Sequence, residues 1–355
     1  MARRKSGTTF LPDYLVPAHN LCFLHHDVLV ELLRSGEEVG SFDQTFELHD
    51  EADRQAFERA VDVFEWMENT KRKGERVALL RRTVFPAVLS DFLLFVYEAL
   101  ETSRKAKLNV SYALLRKPLQ ESLFLLETIA TDADRFASHL MLDPLQLRAQ
   151  KAGGLDAHTK RIAAVLCALE DGDRFDPAYL AQLRYDKMSE DGFDGLCNLA
   201  VHLFTEHKAI RTESLNINFV FSGWDDKLSQ WHFLYSRLPY LLSYARSLVE
   251  HVYSSFEQTD PVYLADIGRR LSAGTLLWGA EIPDEYQNPM VQRFIDTTLA
   301  KLLTDCERNG YRRPTAADLV RMSGSGAWPG ESWVRVRVRH AHYWFARRAR
   351  GDRSG

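Results

Sequence analysis

Apolar residues recur at intervals of three and four along most of this 355-residue chain. This spacing limits the possible folds more than any other feature, because side chains so spaced share one face of an α-helix. A strand instead needs strict alternation, and outside the basic C-terminal segment only LNINFVF, at about residues 215–221, displays it. One strand cannot form a sheet. The pattern therefore predicts an all-α fold, an irregular multi-helix bundle with at most that one short strand.

Two segments carry recognisable helix boundaries. In NPMVQRFIDTTLAKLLTDCERNG, Asn288 is placed to cap a helix that begins with Pro289 and that Gly310 ends. Its apolar face is predicted to hold Phe294, Ile295, Leu299, Leu302 and Cys306. Residues 50–73 are predicted to form another helix, capped by Asp50 and with an apolar stripe of Phe57, Ala60, Val61, Phe64 and Met67.

Proline and glycine positions indicate how the chain is divided. Asp260-Pro261 interrupts the helical pattern, so we predict a helical body over residues 1–258 and a smaller helical region over 259–355 that ends in a basic helix. A further helix is predicted over 194–209. The most apolar stretch, VFPAVLSDFLLFVYEAL, contains a proline and two acidic residues, and this composition favours a core helix over a membrane span.

Composition and charge narrow the class of protein. The four cysteines are scattered and no apolar run follows the basic N-terminus, so we expect a cytoplasmic protein without a membrane segment. No phosphate-binding loop, serine-hydrolase elbow or di-iron motif is present, and no cofactor is predicted. From Arg308 onward there are eleven arginines and three acidic residues, a balance of +8, which leaves −12 for the rest of the net −4. A basic end on an acidic body indicates an anionic partner or docking on the body itself.

Several polar residues inside apolar segments are candidates for a metal site or a binding pocket. His19, Cys22 and His26 fall on one helical face that could hold zinc, but their position beside a predicted buried face favours a core role, and no metal is predicted. His202 and His207 are five residues apart, which does not fit a metalloprotease helix. We predict instead a buried polar pocket formed by Arg116, Gln120, Glu121 and His202.

The segment SWVRVRVRHAHYWFARRARGD, residues 332–352, is the most distinctive of the chain. A strand-like pattern, in which valine alternates with arginine, covers residues 333–339, whereas a helical stripe continues for sixteen residues. We therefore predict a helix that Ser332 caps. Its predicted apolar stripe consists of Val334, Val338, Ala341, Phe345 and Ala349.

An arginine and a histidine with four to six residues between them in a helical chain resemble the motif of HEPN-type ribonucleases, all-helical proteins of prokaryotes. Among the pairs with that spacing, only Arg335 and His342 share a helical face. The resemblance implies a metal-independent ribonuclease in which His342 moves a proton and Arg335 steadies the phosphate charge. In its general character the chain also resembles bacterial all-helical proteins, some of them linked to stress or phage defence.

Two further hypotheses concern the same end. Its arginines and a tyrosine lie within about 80° on a helical wheel, where they could contact phosphates and stack on bases; they are Arg339, Tyr343, Arg347 and Arg350. A degenerate helix-turn-helix at 315–350 would bind DNA. The leading hypothesis is a cytoplasmic, non-enzymatic helical interaction or regulatory protein whose basic end contacts RNA, DNA, a partner protein or a second copy.

Overall fold

The computed structural model of the chain describes residues 9–341, and within them the fold is all-α, as predicted, with no strand. The helices are α1 (Val16–Glu38), α2 (Glu51–Arg59), α3 (Val63–Asn69), α4 (Lys73–Ser103), α5 (Leu108–Lys117), α6 (Leu123–Thr131), α7 (Ala133–Leu142), α8 (Leu155–Ala168), α9 (Pro177–Tyr185), α10 (Phe193–Val201), α11 (Trp224–Ser254), α12 (Pro261–Gly279), α13 (Pro289–Arg308), α14 (Ala316–Ser325) and α15 (residues 333–341, where the described part ends).

The longest buried element is α11, in which every residue from 233 to 245 is buried. A helix that is apolar all round must be covered on all sides, and α1, α6 and α13 pack against it. From α12, the Trp278 indole donates a hydrogen bond of 2.7 Å to the Tyr235 carbonyl. Apolar side chains of α12 and α13 belong to the same continuous core as those of the earlier helices. The division near residue 258 therefore does not interrupt the core, and independent folding of the two parts stays a prediction.

The predicted core helix is the middle of α4. Phe92 and Val96 are buried there as expected, whereas Phe95 is half-buried under the ammonium of Lys117, 4.6 Å from its ring centre. By length and composition alone α4 could also cross a membrane. Core helices of water-soluble proteins pass the same test, so this finding is weak evidence for a span.

Several predicted boundaries differ from the structure. The predicted helix over 50–73 is two helices, because Asp62 adopts an extended conformation and its carboxylate caps α3. Phe57 and Val61, both placed on the apolar stripe, are exposed. The predicted strand near 215–221 is a series of turns, since Leu215 and Phe219 have φ angles of +63° and +59° that no strand can contain.

The prediction for α13 is confirmed at both ends. The Asn288 side chain accepts a hydrogen bond of 2.8 Å from the Met290 amide, and Gly310, just beyond the helix, has a φ of +72°. Most of its predicted apolar face is buried, with the exception of Leu299, which is exposed.

Candidate functional site

The C-terminal part of the described chain is held on α12 by buried charges. Asp266 of α12 is buried, and its carboxylate accepts hydrogen bonds from Arg269 at 2.7 Å and from Arg339 of α15 at 2.8 Å. Buried Glu331 is the second carboxylate bound by Arg339, and it also accepts the Trp328 amide at 2.9 Å. Breaking a buried ion pair leaves a charge without compensation, so this network fixes α15 on the body.

The turn before α15 brings these groups together. Gly326 ends α14 with a φ of +65°, and a Cβ there would lie 2.5 Å from the Asp266 carboxylate. Arg321 of α14 donates to the Trp328 carbonyl at 2.6 Å, which closes the turn. Only glycine allows both the left-handed backbone and the close approach to Asp266.

The start of α14 is stabilised by its own polar cluster. The Thr315 hydroxyl and amide donate to Asp318, and Arg312 donates to the same carboxylate at 2.6 Å. Burial raises the pKa of Asp318, but the hydrogen bonds from Thr315 and Arg312 outweigh burial and lower it to about 2.

The rotation of α15 about its axis differs from the prediction. The Arg335 amide lies 3.4 Å from the Ser332 hydroxyl, as the predicted cap requires. The buried apolar residue, however, is Val336, whereas Val334 and Val338 are 71% and 64% exposed. Ala341 is exposed as well, so the predicted buried stripe is wrong throughout its described part, and Phe345 and Ala349 lie outside the described residues. The ion pairs of Arg339 turn Val336 inward, and they outweigh the apolar pattern because a buried charge must be paired.

The same rotation separates the arginines of α15 by role. Arg339 was predicted to contact nucleic acid, but its guanidinium is held by Asp266 and Glu331 and faces the body. Arg335 and Arg337 are exposed, and neither side chain forms an ion pair or hydrogen bond within residues 9–341. Trp333, in the first turn of the same helix, is exposed as well.

The predicted catalytic pair is only half described. Arg335 lies on α15 and is exposed. The other predicted residues of this end lie outside the described residues; they are His342, Tyr343, Arg347 and Arg350. His340 is placed on the body side, where its ring lies 3.3 Å from the Asp266 carboxylate and 3.1 Å from the Ser325 carbonyl. The first helix of the predicted helix-turn-helix is α14, and residues 326–332 connect it to α15. This connection is longer than the usual three or four residues.

The predicted buried polar pocket does not exist as a group. Gln120 is buried and donates to Asp194 at 2.8 Å and to the Arg184 carbonyl at 3.0 Å. Arg116 is half-buried, and Glu121 and His202 are exposed. The helix predicted over 194–209 ends at Val201, so His202 lies in the loop that follows.

The buried polar network of this region centres instead on Glu127 of α6. Its carboxylate accepts hydrogen bonds from Arg161 at 2.9 Å and from the Tyr244 hydroxyl at 2.7 Å, and it forms a fully buried ion pair with Arg184. Burial raises the pKa of Glu127, but Arg184 and Arg161 outweigh burial and lower it. A charged residue in the apolar run LFLLETIAT was the available sequence signal; its partners, distant in sequence, carried none.

A π-helical turn, Pro118–Ser122, explains why Arg184 is buried. Proline has no amide hydrogen, and a π turn leaves carbonyls without their usual helical donors. The Arg184 Nε donates to the Leu119 carbonyl at 2.6 Å, and the Tyr185 hydroxyl donates to the Gln120 carbonyl at 3.0 Å. The network therefore donates hydrogen bonds to carbonyls that the interrupted helix leaves without donors, and this role is structural.

The histidines and cysteine of α1 also serve the core. The His19 ring lies 2.7 Å from the Tyr235 hydroxyl, and Cys22 is fully buried among apolar residues. Burial, together with the positive charge of Arg104, lowers the pKa of His19 to about 4. In the described part of the chain, no group of three or more potential ligands is arranged to hold a metal ion.

Comparisons of the chain with protein-family models, with curated proteins and with solved structures found no match.

Proposed function

We propose that this is a nucleic-acid-contacting interaction protein and that α15 carries the contact. The observation that supports the proposal is the pair Arg335 and Arg337, which are exposed and have no side-chain partner within residues 9–341, on a helix whose rotation Arg339 fixes. Because the helix backbone is already held, binding would order only the side chains of these two residues, which favours binding.

The chemistry of a phosphate backbone suits these groups. Arginine presents several donors to phosphate oxygens and keeps its charge at all relevant pH values. Exposed Trp333 could stack on a base, a contact that every base can make. The chain beyond residue 341 contains four more arginines and one acidic residue, so the positive charge increases toward its end. We therefore expect binding with little sequence preference.

The proposal is tested with a fluorescently labelled single-stranded RNA and a duplex DNA at low salt. The double variant Arg335→Ala, Arg337→Ala should weaken binding at least about ten-fold, since it removes two phosphate contacts. The matched control is Arg148→Ala, Lys160→Ala, which removes two basic residues elsewhere that are exposed and have no side-chain partner within residues 9–341. Fluorescence anisotropy measures both. Equal affinities of the two double variants would contradict the proposal, as would tighter binding to anionic vesicles than to either nucleic acid.

The ribonuclease remains a second proposal for the same helix, favoured by the exposed and unpaired Arg335. The RNA from the binding measurement is also examined for cleavage in the presence of EDTA. Cleavage that His342→Ala abolishes would identify the protein as a metal-independent ribonuclease. Binding without cleavage would leave the interaction protein as the function.

A further inference from the structure

The loop between α10 and α11, residues 202–223, exposes an unusual amount of apolar surface. Six large side chains of this loop and of the start of α11 are exposed; they are Leu203, Phe204, Leu215, Val220, Phe221 and Trp224. We call residues 202–224 the apolar loop. If a fully exposed large side chain presents about 200 Å², the six side chains leave on the order of 800 Å² accessible. This total, summed over one loop, is larger than the few hundred Å² that a monomeric soluble protein usually exposes in one apolar patch.

Hydrogen bonds within the loop fix its shape before any partner binds. The Thr205 amide donates to the Thr212 hydroxyl at 2.8 Å, and that hydroxyl donates to the Asn218 side chain at 2.8 Å. Asn218 in turn donates to the His202 carbonyl at 2.8 Å. Phe219 anchors the loop, with its ring 5.9 Å from that of buried Tyr112. A loop ordered in this way loses little conformational entropy when it binds.

Leu215 shows that the exposure is not a by-product of packing. Its backbone is in the left-handed region, with a φ of +63°, which asparagine or glycine adopts far more readily than leucine. Its relative exposure is 102%, so no contact with the described part of the chain compensates for this conformation. A contact with another molecule would give leucine a role at this position.

The chemistry of the loop selects the partner. Residues 202–227 contain three basic and four acidic side chains, a net charge of −1; they are Lys208, Arg211 and Lys227, and Glu206, Glu213, Asp225 and Asp226. A surface so close to neutral does not attract nucleic acid or an anionic membrane, and at physiological salt it repels a second copy of itself only weakly. Its area also matches the roughly 800 Å² that each partner buries in a protein interface of standard size. We propose that the apolar loop is a homodimer interface with two-fold symmetry.

The full chain should sediment as a dimer that dissociates on dilution. The double variant Leu215→Asn, Phe221→Ser should raise the dimer dissociation constant at least about ten-fold. Asparagine tolerates a positive φ, so this variant should fold, and its melting temperature tests that directly. Leu142→Asn, Leu145→Ser is the matched control, because it removes two exposed leucines elsewhere. Analytical ultracentrifugation with light scattering reads out the assembly state.

Three outcomes would overturn the proposal. The first is a wild-type chain that stays monomeric up to about 100 μM, where interfaces of this size are normally occupied. The second is a dimer that both double variants weaken equally, and the third is adsorption of the loop to neutral vesicles in place of dimer formation. Arg335 and Arg337 are outside the loop, so failure of the dimer and failure of nucleic-acid binding would be observed separately.

Discussion

Arg335 and Arg339 lie one turn apart on α15, yet their surroundings are opposite. Arg335 meets solvent, whereas Arg339 is bound between the carboxylates of Asp266 and Glu331. The first can give its hydrogen bonds to a ligand and the second cannot. At the scale of the residue, function therefore depends on which charges the fold has already paired.

Glu127 shows the stabilising use of paired charge. Glu127→Gln would leave fully buried Arg184 and partly buried Arg161 without a compensating charge. We therefore expect the free energy of unfolding to fall by about 3 to 5 kcal/mol. Glu121→Gln, six residues earlier and exposed, is the control and should change it by less than about 0.5 kcal/mol. Urea unfolding followed by circular dichroism measures both. Equal stability of the two variants would mean that the network contributes no net stability.

The elements themselves were partly predictable from the sequence. Helix α13 was predicted at both ends because its cap and its terminating glycine are local signals. The interruption between α2 and α3 was missed, although Asp62 followed by Glu65 is a local capping signal of the same kind. The rotation of α15 could not be predicted, since it depends on Asp266, 73 residues away from Arg339.

A variant at Arg339 tests whether its ion pairs orient α15. Arg339→Gln should increase amide hydrogen exchange across residues 333–341 at least about ten-fold, because the helix loses its charged contacts with α12. Arg337→Gln, on the exposed side of the same helix, should leave the exchange unchanged. Equal protection in the two variants would show that the remaining contacts, those of Val336 and His340, hold the helix in place.

At the scale of the whole molecule, buried histidines make stability depend on pH. Burial lowers the pKa of His158 to about 4, with a further contribution from Arg161, and the pKa of His19 is lowered to about 4 as well. Unfolded histidine has a pKa of about 6.5. Between these values the unfolded chain binds protons that the folded chain excludes, so stability falls as the pH falls from 6.5 to 4.

The slope should reach about 1.4 kcal/mol per pH unit for each such histidine. His158→Phe should reduce it, since phenylalanine can keep the stacked position on Tyr185 but cannot take up a proton. The exposed His49→Phe should not. Thermal unfolding at several pH values supplies the measurement. An unchanged slope in His158→Phe would contradict the role assigned to this histidine.

The fold class followed from the sequence because helical periodicity is repeated throughout the chain. The candidate sites followed only in part. Arg335 was selected by its motif, whereas the Glu127 network and the apolar loop arise from contacts and exposure that no local pattern records. A loop that alternates like a strand can still be a series of turns when tertiary contacts such as that of Phe219 decide the backbone.

We propose that Arg335 and Arg337 contact phosphates and that Arg339 does not. The salt dependence of nucleic-acid binding distinguishes these roles. On duplex DNA each phosphate contact contributes about 0.9 to the slope of log K against log salt concentration. This slope is negative, and the Arg335→Ala, Arg337→Ala variant should reduce its magnitude by about 2. Arg339→Gln should leave the slope unchanged even if the affinity falls. A slope whose magnitude drops by about 1 in Arg339→Gln, or stays the same in the double variant, would contradict the account.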